Sequence, residues 1–484
     1  MASHRVRRQR WQVRAASADD AFALRSALRR ENEASLLPAL ERAFAELDDE
    51  AGRDIHLPRL TIKVQLSAVD RLADELPEKL LAATRLALAE ALDAAPGQRL
   101  TVRDLAPGAR LRRYLQRGQV DWFDGERDGA ELAAGLAAEA ALWSEAPLAA
   151  WSALLAEAPP PGAARAAFFF RFLQLLDGAG RAAWADFAGR QAAARGGEVA
   201  GALAALGRLQ AGRPADHALR LQALGLLLVS GNPAAPIPRP AWRQAVQSCA
   251  AQLAPLSAAE RKTWQGFELL LGVGLGLSAA DDTDETPAAA GAAAAVDPEK
   301  RPIFTVDRDS EPGLAVHACG LVLLHPYLPR LFAALGLAAA DPPPGTPLSP
   351  ASLPRAAALL HWLASGRSEL YEFELGLIKL LLGLAPGDPL PVAGGLLGKA
   401  EREEGTALLA AVVAHWPALG KTSVDGLRLA FLQRGGLLYP ASDGWLLRPQ
   451  AESFDLLLDR LPWGIAIVRL PWMPAILHTE WTPA

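Results

Sequence analysis

"TSVDGLRLAFLQRGGLLYPASDGWLLRP", residues Thr422–Pro449, changes character half-way along. The first half reads as a helix, with Thr422 or Ser423 as the N-cap whose side-chain oxygen accepts an amide hydrogen bond. The second half reads as a β-hairpin. Apolar Leu437–Tyr439 and Trp445–Leu447 flank a turn marked by Pro440 and Asp443-Gly444. "GIAIVRL", residues 464–470, follows as a third strand, with Ile465 and Ile467 on one face. A helix giving way to a hairpin and a strand makes the C-terminal region α+β.

Working towards the N-terminus, the pattern is helical. "RAAALLHWLASG" (Arg355–Gly366), "ELYEFELGLIKLLLGL" (Glu369–Leu384) and "EGTALLAAVVAHWPAL" (Glu404–Leu419) are helices by their apolar spacing. "ADPPPGTPLSPASLP" (Ala340–Pro354) cannot continue a helix and is expected to cross in an extended form. "SAADDTDETPAAAGAAAAVDPEKRP" (Ser278–Pro302) is low in complexity, acidic and then alanine-rich, and is the expected linker. Between residues 128 and 277, helical stretches are separated by "APPPGAA" (Ala158–Ala164), "ARGGE" (Ala194–Glu198) and "GNPAAPIPRP" (Gly231–Pro240). These lengths predict stacked helical hairpins.

The N-terminal region is a smaller unit. Phe22, Leu24 and Leu28, then Leu37, Leu40, Phe44 and Leu47, lie on apolar helix faces. "HLPRLTIKVQL" (His56–Leu66) alternates Leu60, Ile62, Val64 and Leu66 with Thr61, Lys63 and Gln65, the pattern of a half-buried strand. "ELPEKLLAATRLALAEALDAAPG" returns to helix, with Pro77 near its first turn and Pro96-Gly97 closing it. "LTVRDLAPGARLRRYLQRGQVDW" (Leu100–Trp122) is a connector with a short apolar alternation. The expected architecture is mainly α and multi-domain. Residues 1–100 form a helix-strand-helix unit, 101–277 a helical middle, 278–302 a linker and 303–484 an α+β domain.

Composition narrows the function. Hydrophobic residues make up 51% of the 484 and charged residues 21%, enough for large cores and against global disorder. The formal charge of −5 implies no nucleic-acid partner for the whole chain. The basic start, with Arg5, Arg7, Arg8 and Arg10 foremost, is a candidate contact for an acidic surface; the alternative is a solvated arm. Cys249 and Cys319 are far apart in apolar company, so two buried thiols are expected, as in a reducing cytoplasm. The start has no signal-peptide pattern, and the longest apolar runs fall short of the roughly 20 residues of a membrane span. No membrane insertion is expected.

Catalytic signals are missing. "LGKTS" (Leu419–Ser423) contains Gly-Lys-Thr, but His415 stands where a phosphate loop needs a glycine, and a helix precedes it. "GVGLGL" (Gly272–Leu277) lacks the third glycine of a dinucleotide fingerprint, and "DDTDET" (Asp281–Thr286) lacks the glycine and glutamate of a calcium loop. The eight histidines form no metal spacing, and His325, His361 and His415 sit in apolar runs as packed side chains do. No catalytic, cofactor or metal residue is assigned.

Longer motifs carry a resemblance. "GLVLLHPYLPRLFAALGL" (Gly320–Leu337), the helices of Arg355–Leu384, "HWPALGKTSVDGLRLAFLQRGGLL" (His415–Leu438) and "DGWLLRPQAESFDLLLDRLPWGIAIVRLPWMPAILHTEW" (Asp443–Trp481) occur in order. Together they resemble the tape measure proteins of contractile injection systems, phage-tail-like particles that drive a tube into a target. The beginning, "RVRRQRWQVRA" and "LPRLTIKV", is similar to the way such chains begin. The resemblance implies a structural role: setting or limiting inner-tube length, in contact with inner-tube and baseplate hub proteins. It also implies assembly in the cytoplasm and a final place within the particle. The alternative is a baseplate-side adaptor or chaperone that binds the same proteins without measuring; a cell-wall hydrolase is disfavoured.

Within the tail of the chain, Trp463, Trp472, Met473 and Trp481 are the candidate partner-binding residues, because aromatic side chains offer large rigid contact area. The competing reading closes the C-terminal core with them. A fully helical chain of this length would reach about 700 Å, but 37 prolines and 41 glycines exclude one continuous helix.

Overall fold

A computed structural model describes residues 28, 31, 35–45, 53–56, 60–65, 72–93, 101–104, 108–120, 129–231, 239–253, 256–274 and 313–481. Two compact units emerge: residues 1–109 with 307–312, and 110–306 with 313–484. The expected linker 278–302 lies outside the described residues.

In the first unit, Leu40 of helix α1 (Leu37–Ala45) and Leu76 and Leu80 of helix α2 (Leu72–Asp93) join Leu36, just ahead of α1, in a small core. Strands β1 (Arg53–His56) and β2 (Thr101–Asp104) pair antiparallel. Of the expected strand at residues 56–66, His56 ends β1, and the described residues 60–65 join no ladder. Leu60, Ile62 and Val64 are half-buried and Thr61, Lys63 and Gln65 exposed, with Ile62 and Val64 packed on that core. The alternation therefore reports one buried face, which a helix covers. Lys79 of α2 donates to the Gln65 carbonyl at 3.1 Å, satisfying backbone that a neighbouring strand would otherwise pair.

Among the described residues the second unit opens with nine helices: α3 (Ala109–Arg117), α4 (Gly129–Leu142), α5 (Pro147–Glu157), α6 (Ala163–Leu175), α7 (Gly178–Arg195), α8 (Gly197–Gln210), α9 (Ala215–Ser230), α10 (Arg239–Leu253) and α11 (Ala258–Gly274). The predicted breakers fall between α5 and α6, between α7 and α8, and between α9 and α10. Helix α6, "AARAAFFFRFLQL", buries Phe168, Phe169, Phe170 and Phe172 on all sides, so it lies at the centre of the array. Helix α9 is buried in the same way from Leu219 to Val229 and packs against it. Trp151, Phe169, Phe172, Trp184 and Phe187 interlock through ring pairs 5.1–5.9 Å apart.

The rest of the unit is α+β. Strand β3 (Leu314–Val316), helices α12 (Leu328–Ala334), α13 (Leu353–Ser365), α14 (Gly376–Leu381), α15 (Lys399–His415) and α16 (Val424–Leu427), and strands β4 (Gly436–Ala441), β5 (Gly444–Pro449), β6 (Ile467–Val468) and β7 (Ile476–Thr479) surround a second core. Sheet order is β3-β4-β5-β7-β6; β5 and β7 are parallel and the other pairs antiparallel.

Ser423 is the N-cap of α16 and accepts from the Gly426 amide at 3.0 Å. The hairpin forms as read, except that Pro440 lies within β4 opposite Trp445, and Ser442-Asp443 make the turn. Among the described residues the β3 pairing reaches as far as Leu438, two residues short of Pro440. The third strand shrinks to two residues, β6, with Ile467 exposed and Ile465 half-buried. "ELYEFELGLIKLLLGL" also departs from expectation. Residues 369–371 are not helical, Tyr371 is extended, and a 3-10 turn at Glu372–Leu375 leads into the short α14.

Candidate functional site

The aromatic tail folds inward. At Leu470–Met473 the chain turns, with the Met473 amide donating to the Leu470 carbonyl at 3.0 Å. That turn drives Trp472 into the core. Its ring stacks on Phe332 at 4.8 Å, and its indole N–H donates to the Leu381 carbonyl at 2.8 Å. From the proline-rich crossing, Gly345 donates to the Pro471 carbonyl at 2.6 Å and pins the turn. Trp472 is 2% exposed and Met473 1%, which favours the competing reading, in which they close the C-terminal core. A ring whose face is stacked and whose only donor is already satisfied has nothing left for a partner.

Trp463 is half-buried. It donates to the Leu323 carbonyl at 3.0 Å and meets Tyr327 edge-on at 5.4 Å. Trp481 is also half-buried, beside the Arg434 guanidinium at 5.6 Å from the ring centre. Arg5, Arg7, Arg8 and Arg10 lie outside the described residues. The exposed apolar side chains near the tail are instead Phe454 (56%), Leu456 (65%) and Ile467 (61%).

The densest buried chemistry lies elsewhere, where α6 and α9 meet residues 369–393. Here the alternating "YEFEL" segment inserts into the helical array. Phe373 enters the first core and meets Tyr114 edge-on at 5.7 Å, while Tyr371 stacks on Phe373. Between the rings go two carboxylates. Glu372 accepts from Arg171 of α6 at 2.8 Å, from Lys379 of α14 at 2.6 Å and from the Leu390 amide at 2.8 Å. Burial pushes its carboxyl up, but Arg171 and Lys379 outweigh this and hold it below the ordinary carboxylate value.

Glu374 is bound by Arg367, the Tyr371 amide at 2.9 Å and His361 at 3.5 Å. Burial opposes its charge, while His361 and Arg367 favour it and bring the carboxyl down to about 2. Two glycines make room. Gly118, at φ +66°, would place a Cβ 2.5 Å from the Glu372 carboxyl carbon; at Gly129 a Cβ would lie 2.6 Å from a Glu374 oxygen.

Further polar contacts continue along this seam. Gln174 donates to the Leu370 and Val392 carbonyls at 2.8 and 3.1 Å, Arg220 to Pro391 at 2.7 Å and Gln119 to Pro386 at 2.8 Å. The Ala393 amide donates to Asp216 at 2.8 Å. Chemically, this is a set of ion pairs and hydrogen bonds, in which the Gln174 side-chain oxygen and the Tyr114 hydroxyl are buried without a hydrogen-bond partner. No group in it combines a free lone pair with an open approach, as a nucleophile or general base needs. Among the described residues no three His, Cys, Asp or Glu side chains gather as metal ligands. His325, His361 and His415 are held by the Val322 carbonyl, Glu374 and the Tyr327 hydroxyl. Cys249 and Cys319 are buried free thiols. Sequence reading passed over the seam, although one signal was available: a lone arginine, Arg171, inside a run of phenylalanines.

The family model for contractile injection system tape measure proteins matches residues 3–481. The chain belongs to this family. The match runs through the helical middle, beyond the motifs that carry the resemblance. No curated protein and no solved structure matches the chain. The family places this tape measure protein among the components of a contractile injection particle. No described helix is long and apolar enough to cross a membrane.

Proposed function

We propose that this chain sets or limits the length of the inner tube during assembly, touching tube and baseplate hub proteins and performing no catalysis. The observation that carries the reading is the family match over nearly the whole chain. Assembly takes place in the cytoplasm, and the basic residues Arg5, Arg7, Arg8 and Arg10 contact an acidic surface of the particle.

One observation favours the adaptor reading instead. The second unit is compact, with two closed cores, and a compact chain is far shorter than its contour.

Electron microscopy of particles from altered chains separates the two. Insertions of increasing length into the low-complexity stretch 278–302, and removal of whole helices between 128 and 277, should lengthen and shorten the tube in proportion. Unchanged tube length with fewer particles would establish the adaptor and end the length-setting reading.

A further inference from the structure

We propose that the seam between the helical array (110–274) and the α+β body (313–481) is a latch, at which the two part as intact bodies without either one unfolding. Three observations lead there.

First, the cores are separate. The first core is built from residues between Leu111 and Phe267, and only Phe373 and Ala393 enter it from the other body. The second runs from Val316 to Leu477 and takes no residue from the array. Parting would therefore expose few apolar side chains, chiefly Tyr371 and Phe373 with the surface they cover.

Second, beyond the Tyr114–Phe373 ring pair, the contacts that cross are polar: Arg171 to Glu372, Gln174 to two carbonyls, Arg220 to Pro391, Ala393 to Asp216 and Gln119 to Pro386. Permanent interfaces resemble an apolar core cut in half. Here the groups lost from each other are ones that water solvates well, so hydration returned on opening offsets much of the attraction.

Third, every charge keeps a partner on its own side. Glu372 retains Lys379 at 2.6 Å. Arg220 retains Asp216 at 2.6 Å, one turn away on α9. Arg171 retains the Leu115 and Gln116 carbonyls at 2.7 and 3.1 Å. Glu374 retains Arg367 and His361. Arg171 alone gives up its carboxylate, and it keeps two backbone acceptors. Opening leaves no buried charge stranded, which is the largest cost of breaking such pairs.

Hydrogen exchange on the purified full chain tests the latch. The Ala393 amide is the probe, because its acceptor lies across the seam. Peptides covering residues 386–394 should exchange at least about tenfold faster than peptides from the interiors of α6 and α13. Gln174→Ala removes two crossing hydrogen bonds without leaving a charge unpaired. It should speed the 386–394 peptides about tenfold more and leave the two helix interiors unchanged. Seam and core exchanging at one rate would overturn the latch. So would a variant that accelerates all three regions together, or none of them. None of these outcomes depends on tube length, so the latch and the length-setting role can fail separately.

Discussion

The indole of Trp472 lies flat on the ring of Phe332, 4.8 Å between centres and 4° between planes, with its N–H on the Leu381 carbonyl. Three parts of the α+β body, the tail, α12 and α14, are joined at this one side chain. Trp472→Ala should therefore cost about 3–5 kcal/mol, as removal of large buried rings does. The check is a thermal melt. An unchanged melting temperature with loss of a binding partner would restore Trp472 as a contact residue.

The Glu372 cluster predicts unequal costs. Glu372→Gln leaves Arg171 and Lys379 facing each other in a buried site and should destabilise by about 3–5 kcal/mol. Replacing all three together, Arg171→Met, Glu372→Leu and Lys379→Met, should recover most of that loss. Denaturant midpoints of the single and triple variants decide it. A triple variant weaker than the single would mean the ion pairs are net stabilising.

Acid should act through Glu374. Its carboxyl stands at about 2 in the folded chain, below the ordinary value of 4.5. A depressed folded value means the stabilisation is complete above about pH 4.5 and is lost as pH falls towards 2. Wild type and Glu374→Gln should differ most in denaturation midpoint near neutral pH and converge by about pH 2. A gap that does not change with pH would show that the charge is not the source.

At Gly118 two requirements coincide, a positive φ and a carboxylate where a side chain would start. Gly118→Ala should cost about 1–3 kcal/mol through backbone strain and displacement of Glu372. Calorimetry of the variant measures this. A neutral result would mean that α3 and the 3-10 turn adjust freely.

The legible part of the fold was what periodicity reports. Helices α4 to α11 fell between Pro and Gly breakers, and the hairpin β4–β5 announced itself through its turn residues. Strands β3 and β7 were not read, because three or four residues are too few to show an alternation. The alternation at residues 60–65 was real but marked a face covered by a helix. "YEFEL" was taken for helix since its composition suits one; its extended entry is fixed by what Tyr371 and Phe373 pack against. The indoles stayed open between two readings for a related reason. Aromatic residues suit a core and an interface equally well, and at Trp472 it is the turn at Leu470–Met473 that favours the core. The seam needs residues roughly 200 positions apart to meet, which no local pattern encodes.

Strand β7 lies inside the sheet, between β5 and β6, and is parallel to β5. A ribosome delivers residues 110–274 first, and that array can close on contacts already made. The α+β body cannot close until Thr479 has emerged, because an interior position of its sheet stays empty until then. A message cut short before that point yields a finished array attached to an open sheet. The body that bears the family's strongest motifs thus takes shape only once translation has passed Thr479.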